Sequence, residues 1–344
     1  MTLKDIAELA RTSVSTVSRS LNDSDLVAEE TKRRIKQIAE EHGFEFNASA
    51  RGLVTSTTGT IGVILPENYD RFDVLLYHAA LHNDFRKSLE RADKDVIVAF
   101  LKNRFTGLRN VEKLVTRKKV DGLVIVQSGI DTETTRFLEQ RDVPFVMTQY
   151  PPADASPGYD VIYSDSWTGG KLVAEHFLDQ GFTSVACITG GEETQSQQRI
   201  AGFVETFTAR GGTVDPDFIL AGDFQSETAS RIVREEIDRF RRVDAVFAVN
   251  DLMAFGAMQA LQAAGFRVPG DIAVAGYDDT PLAGITIPGL TSVHQSREEI
   301  ALLASELLLE LIEARTAGAE AERTPRVIAI QPRLIVRDST DPAR

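Results

Sequence analysis

From Thr60 to Asp278 the chain alternates continuous apolar runs with amphipathic segments, and this pattern restricts its fold more than any other feature. The runs TIGVILP, DVIVAFL, DGLVIVQ, PFVMTQ, SVACITGG, DAVFAVND and DIAVAGYDD are nearly unbroken in Val, Ile, Ala and Phe. Strands of that kind are buried on both faces, which requires parallel pairing with helices covering each side. Helical segments fall between and after them at 72–91, 168–180, 198–210, 226–239, 251–264 and 297–314. Several runs end in a polar or turn residue: Pro66, Gln127, Gln149, Asp165, Gly190, Asn250 and Asp278. Ligands of open parallel sheets bind beyond the carboxyl ends of the strands. Two such sheets facing each other would enclose a cleft, and 344 residues are more than one ordinary core accommodates.

The first 45 residues have a different texture, with helical signals and no strand signal. Thr2 and Asp5 have capping-box spacing before Ile6, Leu9 and Ala10. Ser13 is placed to cap a second helix carrying Val14, Val17 and Leu21, which Asn22 breaks. A third helix spans about Ala28 to His42, with Ile35, Ile38 and Ala39 inward and Gly43 at its end. Two short helices joined by a tight turn and braced by a third make a helix-turn-helix unit. Residues 46–58 read as a linker, with Asn47 capping a possible two-turn helix that ends near Leu53.

In SVSTVSRSLN, Val14 and Ser15 lie at the start of the second helix, where a helix seated in the major groove meets bases. Arg19, one turn on, has the fork that fits a guanine edge. Thr16, Ser18 and Asn22 suit phosphate oxygens, and Thr2 and Thr31 complete the candidate DNA-contacting set. A Ser/Thr-rich surface helix is the ordinary alternative. A two-turn linker helix is unstable alone; paired in a minor groove it would use Leu53 as wedge and Ala50 as a small contact surface. The net charge of −13 argues against simple electrostatic DNA binding. Residues 1–55 carry 8 Lys/Arg against 9 Asp/Glu, so the head is near neutral and the acidity lies in the core. Any DNA contact must come from a local arrangement among Lys4, Arg11, Arg19, Lys32, Arg33, Arg34 and Arg51.

The N-terminus lacks the apolar region of a secretory signal and no run is long enough to span a bilayer, so a cytoplasmic protein without membrane contact is expected. The one cysteine, Cys187, lies in a strand-like run and reads as a buried thiol. His78 and His82 have i,i+4 spacing, but no further ligands accompany them, so no metal is expected. No cofactor motif occurs: G-x-G-x-x-G, the P-loop and G-x-S-x-G are all absent.

The segments LKDIAELARTSVSTVSRSLN, EETKRRIKQIAEEHGF, NASARGL and GTIGVILP, followed by VPFV, GGKLVAEHF, RIAGF, FAVNDLMAFGAM, VPGDIAVAGYDDT and PGLTSVHQ, resemble the LacI/GalR family of bacterial repressors along nearly the whole chain. The resemblance implies an α/β fold: an N-terminal three-helix helix-turn-helix head plus a two-lobed periplasmic-binding-protein-like core of doubly wound parallel sheets. It divides the chain into a head at 1–45, a hinge at 46–58, one lobe at 59–160 and 293–322, and another at 161–292 and 323–340. It implies that Val14, Ser15 and Arg19 read bases and that Leu53 wedges into the operator centre. In the core it implies a ligand pocket of Gln149, Arg199, Phe224, Asn250, Asp278 and Gln295. This set suits a sugar, since planar polar groups engage adjacent hydroxyls and an aromatic face covers the C–H side. Tyr69, Asp70 and Phe72, in the unusual segment after the first strand, are further candidates that no motif fixes.

Three departures stand out. Arg11-Thr12 occupies a turn that usually carries glycine, Ala28 stands where a Ser or Thr cap is usual, and Phe46-Asn47 replaces Pro-Asn at the start of the hinge. The expected function is a sequence-specific transcription regulator, acting as a homodimer on a near-palindromic operator and controlled by a small ligand, most simply a sugar. The alternative is a solute-binding protein for sugar transport, against which the head and the missing secretory signal argue. An enzyme is not expected, because adjacent Asp278 and Asp279 do not make a pair flanking a substrate. No C-terminal leucine heptad suggests a tetramer.

Overall fold

The structure, a computed structural model, describes residues 1–21, 24–44, 57–66, 72–126, 131–149, 158–318 and 324–341, and of residues 72–75 only the backbone. Asn22, Asn47, Ala50, Arg51, Leu53, Tyr69, Asp70 and Gln127 lie outside the described residues, as does the side chain of Phe72.

The head consists of α1 (Leu3–Leu9), α2 (Val14–Leu21) and α3 (Glu29–Glu41). Thr2 and Asp5 form both halves of the capping box, at 3.4 and 2.7 Å. Ser13 Oγ accepts the Thr16 N–H at 3.1 Å, capping α2. Ile6, Ala7, Ala10, Val17, Ile35 and Ala39 form a small core. Leu9, expected on the inward stripe of α1, is half exposed instead, at 51%, and Val14, at the start of α2, is exposed at 44%. The turn between α1 and α2 puts Arg11 at φ +48°, the left-handed region that glycine adopts freely, so Arg11 bears the conformational cost of the missing glycine. No side chain caps α3 at Ala28; Glu29 and Glu30 in its first turn face the positive end of the helix dipole instead.

The core has two six-stranded sheets. The first contains β1 (Thr60–Leu65), β2 (Asp95–Phe100), β3 (Gly122–Ile125), β4 (Phe145–Thr148), β5 (Asp160–Ser164) and β11 (Val327–Ile330), in the spatial order β11-β5-β4-β3-β1-β2 and wholly parallel. The second contains β6 (Val185–Thr189), β7 (Ile219–Ala221), β8 (Ala245–Ala248), β9 (Ala273–Tyr277), β10 (Thr291–His294) and β12 (Arg333–Ile335), in the order β12-β10-β9-β8-β6-β7. Only β12 runs antiparallel. Interior strands β3, β8 and β9 are buried throughout while edge strands β2 and β7 are partly exposed, as double helical cover demands. The strand order reverses between β1 and β3, and again between β6 and β8, and such reversals open crevices where ligands bind.

The helices of the first lobe are α4 (Phe72–Arg91), α5 (Asn110–Thr116), α6 (Thr132–Gln140) and α12 (Arg297–Thr316); those of the second are α7 (Ser166–Asp179), α8 (Thr194–Ala209), α9 (Ser226–Glu235), α10 (Ile237–Phe240) and α11 (Asp251–Ala263). The chain crosses between sheets after β5, after β10 and after β11. The last crossing corrects the expected lobe boundary at 323, because β11 pairs with β5 in the first sheet and only β12 returns to the second. Residues 161–164 likewise belong to the first sheet, and 293–294 to the second.

Helices α7 and α8 touch backbone to backbone. A Cβ on Gly170 would lie 1.9 Å from the Arg199 carbonyl oxygen, and one on Gly202 would lie 1.9 Å from that of Trp167. The Gly170→Ala substitution must therefore push α8 outward. We expect a loss of about 3 kcal/mol and a melting temperature lower by roughly 5 °C or more, measured by thermal unfolding; an unchanged melting temperature would refute this packing.

Candidate ligand cleft and DNA-reading helix

Arg199, Phe224, Asn250, Asp278 and Gln295 are brought to the cleft end of the second sheet, and a chain of polar contacts connects three of them. Arg199, on α8, is 6% exposed. Its Nη1 donates to the Val249 carbonyl at 2.6 Å and lies 3.6 Å from Asp278 Oδ1, while its guanidinium stacks 3.7 Å from the Tyr277 ring centroid. Its Nε has no hydrogen-bond partner among the described residues. Gln295 Nε2 donates to Asp278 Oδ1 at 2.5 Å, and Tyr77 Oη, from the first lobe, donates to Gln295 Oε1 at 3.3 Å. Burial pushes the Asp278 carboxyl above its ordinary range, against the pull of Arg199 and Gln295. Burial, with the neighbouring Asp278 charge, likewise raises the Tyr77 hydroxyl.

Asn250 caps α11 through Met253 N–H at 2.9 Å and donates to the Phe224 carbonyl at 3.0 Å. Phe224 takes φ +67° and lays its ring on Gly190, where a Cβ would come within 2.0 Å of the ring, so a side chain there would displace the ring. These residues meet where the strand order of the second sheet reverses, between β6 and β8. Gln149 lies at the carboxyl end of β4 and joins the other side: its Oε1 accepts from Gln195 Nε2 at 3.2 Å, and its Nε2 is 3.5 Å from His78 Nε2. His78 thus faces the cleft, and no cluster suited to a metal occurs among the described residues.

Tyr77, His78, Gln195 and Tyr277 escaped sequence reasoning. Tyr277 precedes Asp278 in an unbroken strand run and reads as core. The other three lie on helices, where a polar residue facing a cleft is spelled like one facing water. The available signal was position: both helices that carry them follow strands whose carboxyl ends line the cleft. Cys187 is fully buried, and burial pushes its thiol far up, which suits a packing role.

In the head, Val14, Ser15 and Arg19 share an exposed face of α2, while Val17 and Ser20 are fully buried beneath. Ser15 and Thr16 hydroxyls lie 2.7 and 2.8 Å from Ser13 Oγ. Thr16 and Ser18 are partly exposed, as is Thr31 on α3, and Thr2 is exposed but engaged in its cap. Two basic candidates are corrected. Lys32 is buried and bonds Glu29 at 2.7 Å, and Arg34 donates to the Ala10 carbonyl, so both brace the head.

A two-lobed α/β core with a polar cleft, carrying a helix-turn-helix head with an exposed second helix, defines a ligand-responsive DNA-binding regulator. Sequence comparison sharpens the class. Residues 2–47 match the family of bacterial regulatory proteins called lacI, and residues 174–340 match the periplasmic binding protein-like domain. The HTH-type transcriptional repressor PurR of Aliivibrio fischeri is 32% identical over 342 residues, covering 98% of each chain. Among solved structures, a transcriptional regulator CelR–cellobiose complex superposes with a TM-score of 0.70 at 28% identity, covering 98% of this chain and 99% of that one. The lac repressor dimer bound to operator and the anti-inducer ONPF superposes at 0.76 with 23% identity, covering 99% of each chain, a likeness of fold. The chain belongs to the LacI family. It is a DNA-binding transcriptional repressor with a ligand-binding core, and neither an enzyme nor a transport protein is favoured. No described helix is long and apolar enough to cross a membrane.

Proposed function

We propose that the protein represses transcription from the cytoplasm as a homodimer on a near-palindromic operator, and that its effector is an uncharged sugar held between the lobes. The observation that carries the sugar reading is Arg199: a buried guanidinium with one N–H unpartnered among the described residues and its carboxylate neighbour at 3.6 Å, beyond hydrogen-bond range. A hydroxyl beside this pair would accept from the cation and donate to the carboxylate. Gln295 and Asn250 add planar donors and acceptors, and Phe224 an apolar face. A phosphate is disfavoured, because Asp278 already offsets the Arg199 charge and would repel a second anion. The cellobiose bound by the related regulator CelR agrees with a neutral saccharide.

In this reading the head at 1–45 contacts DNA and the segment 46–58 joins it to the core. Val14, Ser15 and Arg19 read bases; Thr2, Thr16, Ser18, Asn22 and Thr31 contact phosphates; Ala50 and Leu53 enter the minor groove. Phe72 and Gln149 contact the sugar from the first lobe. The effector acts by binding one lobe arrangement better than another.

A thermal-shift panel of cellobiose, glucose, ribose, glucose 6-phosphate and hypoxanthine tests the effector class. A ligand at a hundred times its dissociation constant stabilises by about 2.7 kcal/mol. We expect a shift of several degrees from a neutral sugar. A shift confined to the phosphate or the purine would overturn the sugar reading.

A further inference from the structure

The turn that presents Asp278 to the cleft has an unusual backbone. Asp278 has φ +106° and Asp279 φ +47°, conformations that side-chain-bearing residues adopt only when their surroundings force them. All three peptide N–H groups of the turn are tied down. Asp278 N–H goes to the Val293 carbonyl at 2.8 Å, Asp279 N–H to Ser292 Oγ at 3.0 Å, and Thr280 N–H to Asp251 Oδ2 at 2.7 Å. Two of these ties lead to Asp251. Its Oδ2 also accepts the Thr280 hydroxyl at 2.8 Å, and its Oδ1 accepts the Ser292 hydroxyl at 2.5 Å, the same hydroxyl that holds Asp279.

Asp251 is fully buried, and among the described residues no ion pair satisfies it. It does not cap its own helix, a task Asn250 performs. Its neighbour strand makes room for it: a Cβ on Gly276 would come within 2.5 Å of Asp251 Oδ1. A buried carboxyl group is expensive unless it is hydrogen-bonded, and this one directs both oxygens at the turn bearing the effector-facing acid. The outer side of the turn is held independently. Asp279 Oδ1 bonds Arg337 at 2.6 Å, and Asp279 Oδ2 lies 3.0 Å from His294 Nδ1.

We infer that Asp251 is a positioning residue for the effector site, holding the left-handed Asp278–Asp279 turn so that the Asp278 carboxylate meets Arg199 and Gln295. The inference rests on the cleft being the effector site. It adds a residue that touches no ligand yet sets ligand geometry.

Hydrogen exchange of the full-length protein, read by mass spectrometry on peptides covering 277–282, tests it without an effector. With Asp251→Ala, exchange in this segment should accelerate about tenfold or more, the cost of leaving the buried Thr280 and Ser292 groups without their hydrogen-bond partner, with the rest of the second lobe unchanged. Asp251→Asn should restore protection, because its carbonyl oxygen can keep Thr280 and its amide can donate to Ser292 Oγ. Cellobiose, the probe for binding, should lose about tenfold or more in affinity with the alanine variant and recover with asparagine. If Asp251→Ala does not fold, Thr280→Val keeps the shape, removes one bond, and should accelerate the same peptide. Unchanged exchange, acceleration spread evenly over the lobe, or failure of asparagine to rescue would each overturn the assignment. If cellobiose does not bind wild type, the sugar reading fails while the exchange result still decides the role of Asp251.

Discussion

Arg199→Ala is expected to abolish the effector-induced thermal shift and to lower effector affinity at least a hundredfold, while the head still binds operator. The side chain is nearly inaccessible and makes three contacts at once: a hydrogen bond to the Val249 carbonyl, an approach to Asp278, and stacking on Tyr277. Alanine removes the donor that a hydroxyl would use and leaves buried Asp278 without its nearest cation, a change that costs roughly 3–5 kcal/mol in other buried pairs. A hundredfold is about 2.7 kcal/mol, just below that range, so it is the minimum loss expected. Lysine should not restore binding, because it lacks the planar fork that serves Val249 and a ligand together. Titration calorimetry with whichever sugar stabilises wild type checks the loss. Retention of wild-type affinity would remove Arg199 from the pocket.

Arg19→Ala should nearly eliminate specific operator binding without unfolding the head. Arg19 is exposed on α2, and the helix is held from beneath by Val17 and Ser20, which the substitution does not touch. A forked contact to a guanine edge is worth about 1–3 kcal/mol of discrimination. A homodimer presents it twice, so the combined loss should be on the order of a hundredfold or more, assuming the half-sites contribute additively. Anisotropy with labelled operator and with scrambled DNA separates the effects. Specific binding should fall toward the scrambled level, and the melting temperature should stay close to wild type. An equal loss on both DNAs would make Arg19 a phosphate contact instead.

Much of this arrangement is written in local sequence. The long, fully buried strands announce themselves as unbroken apolar runs, and the strand-end residues Asn250 and Asp278 fall in the cleft because parallel strands deliver their ends there. Short elements are less legible. Strands β7 and β12 have three residues each and α5 has seven, too few for a period to show. The path of β11 depends on which edge it pairs with, a long-range choice that no local pattern encodes. Lys32 carries a different lesson. It stands three residues before Ile35 and seven before Ala39, on the apolar stripe of α3, so helical period outweighs residue type in predicting its burial. Asp251 follows a capping residue at a helix start, where an acid is commonplace; only the three-dimensional path of the Asp278 turn gives its carboxylate a purpose.

An acidic chain with a near-neutral head should read DNA specifically under the control of the cleft. The most direct measurement is operator affinity of the purified full-length protein on DNA from its own promoter, as a function of salt and with or without the stabilising sugar. Binding should weaken as a straight line in log salt, and adding the sugar should shift it by roughly 5- to 150-fold. Binding no tighter than to scrambled DNA at any salt, or an affinity indifferent to a sugar that demonstrably occupies the cleft, would contradict it.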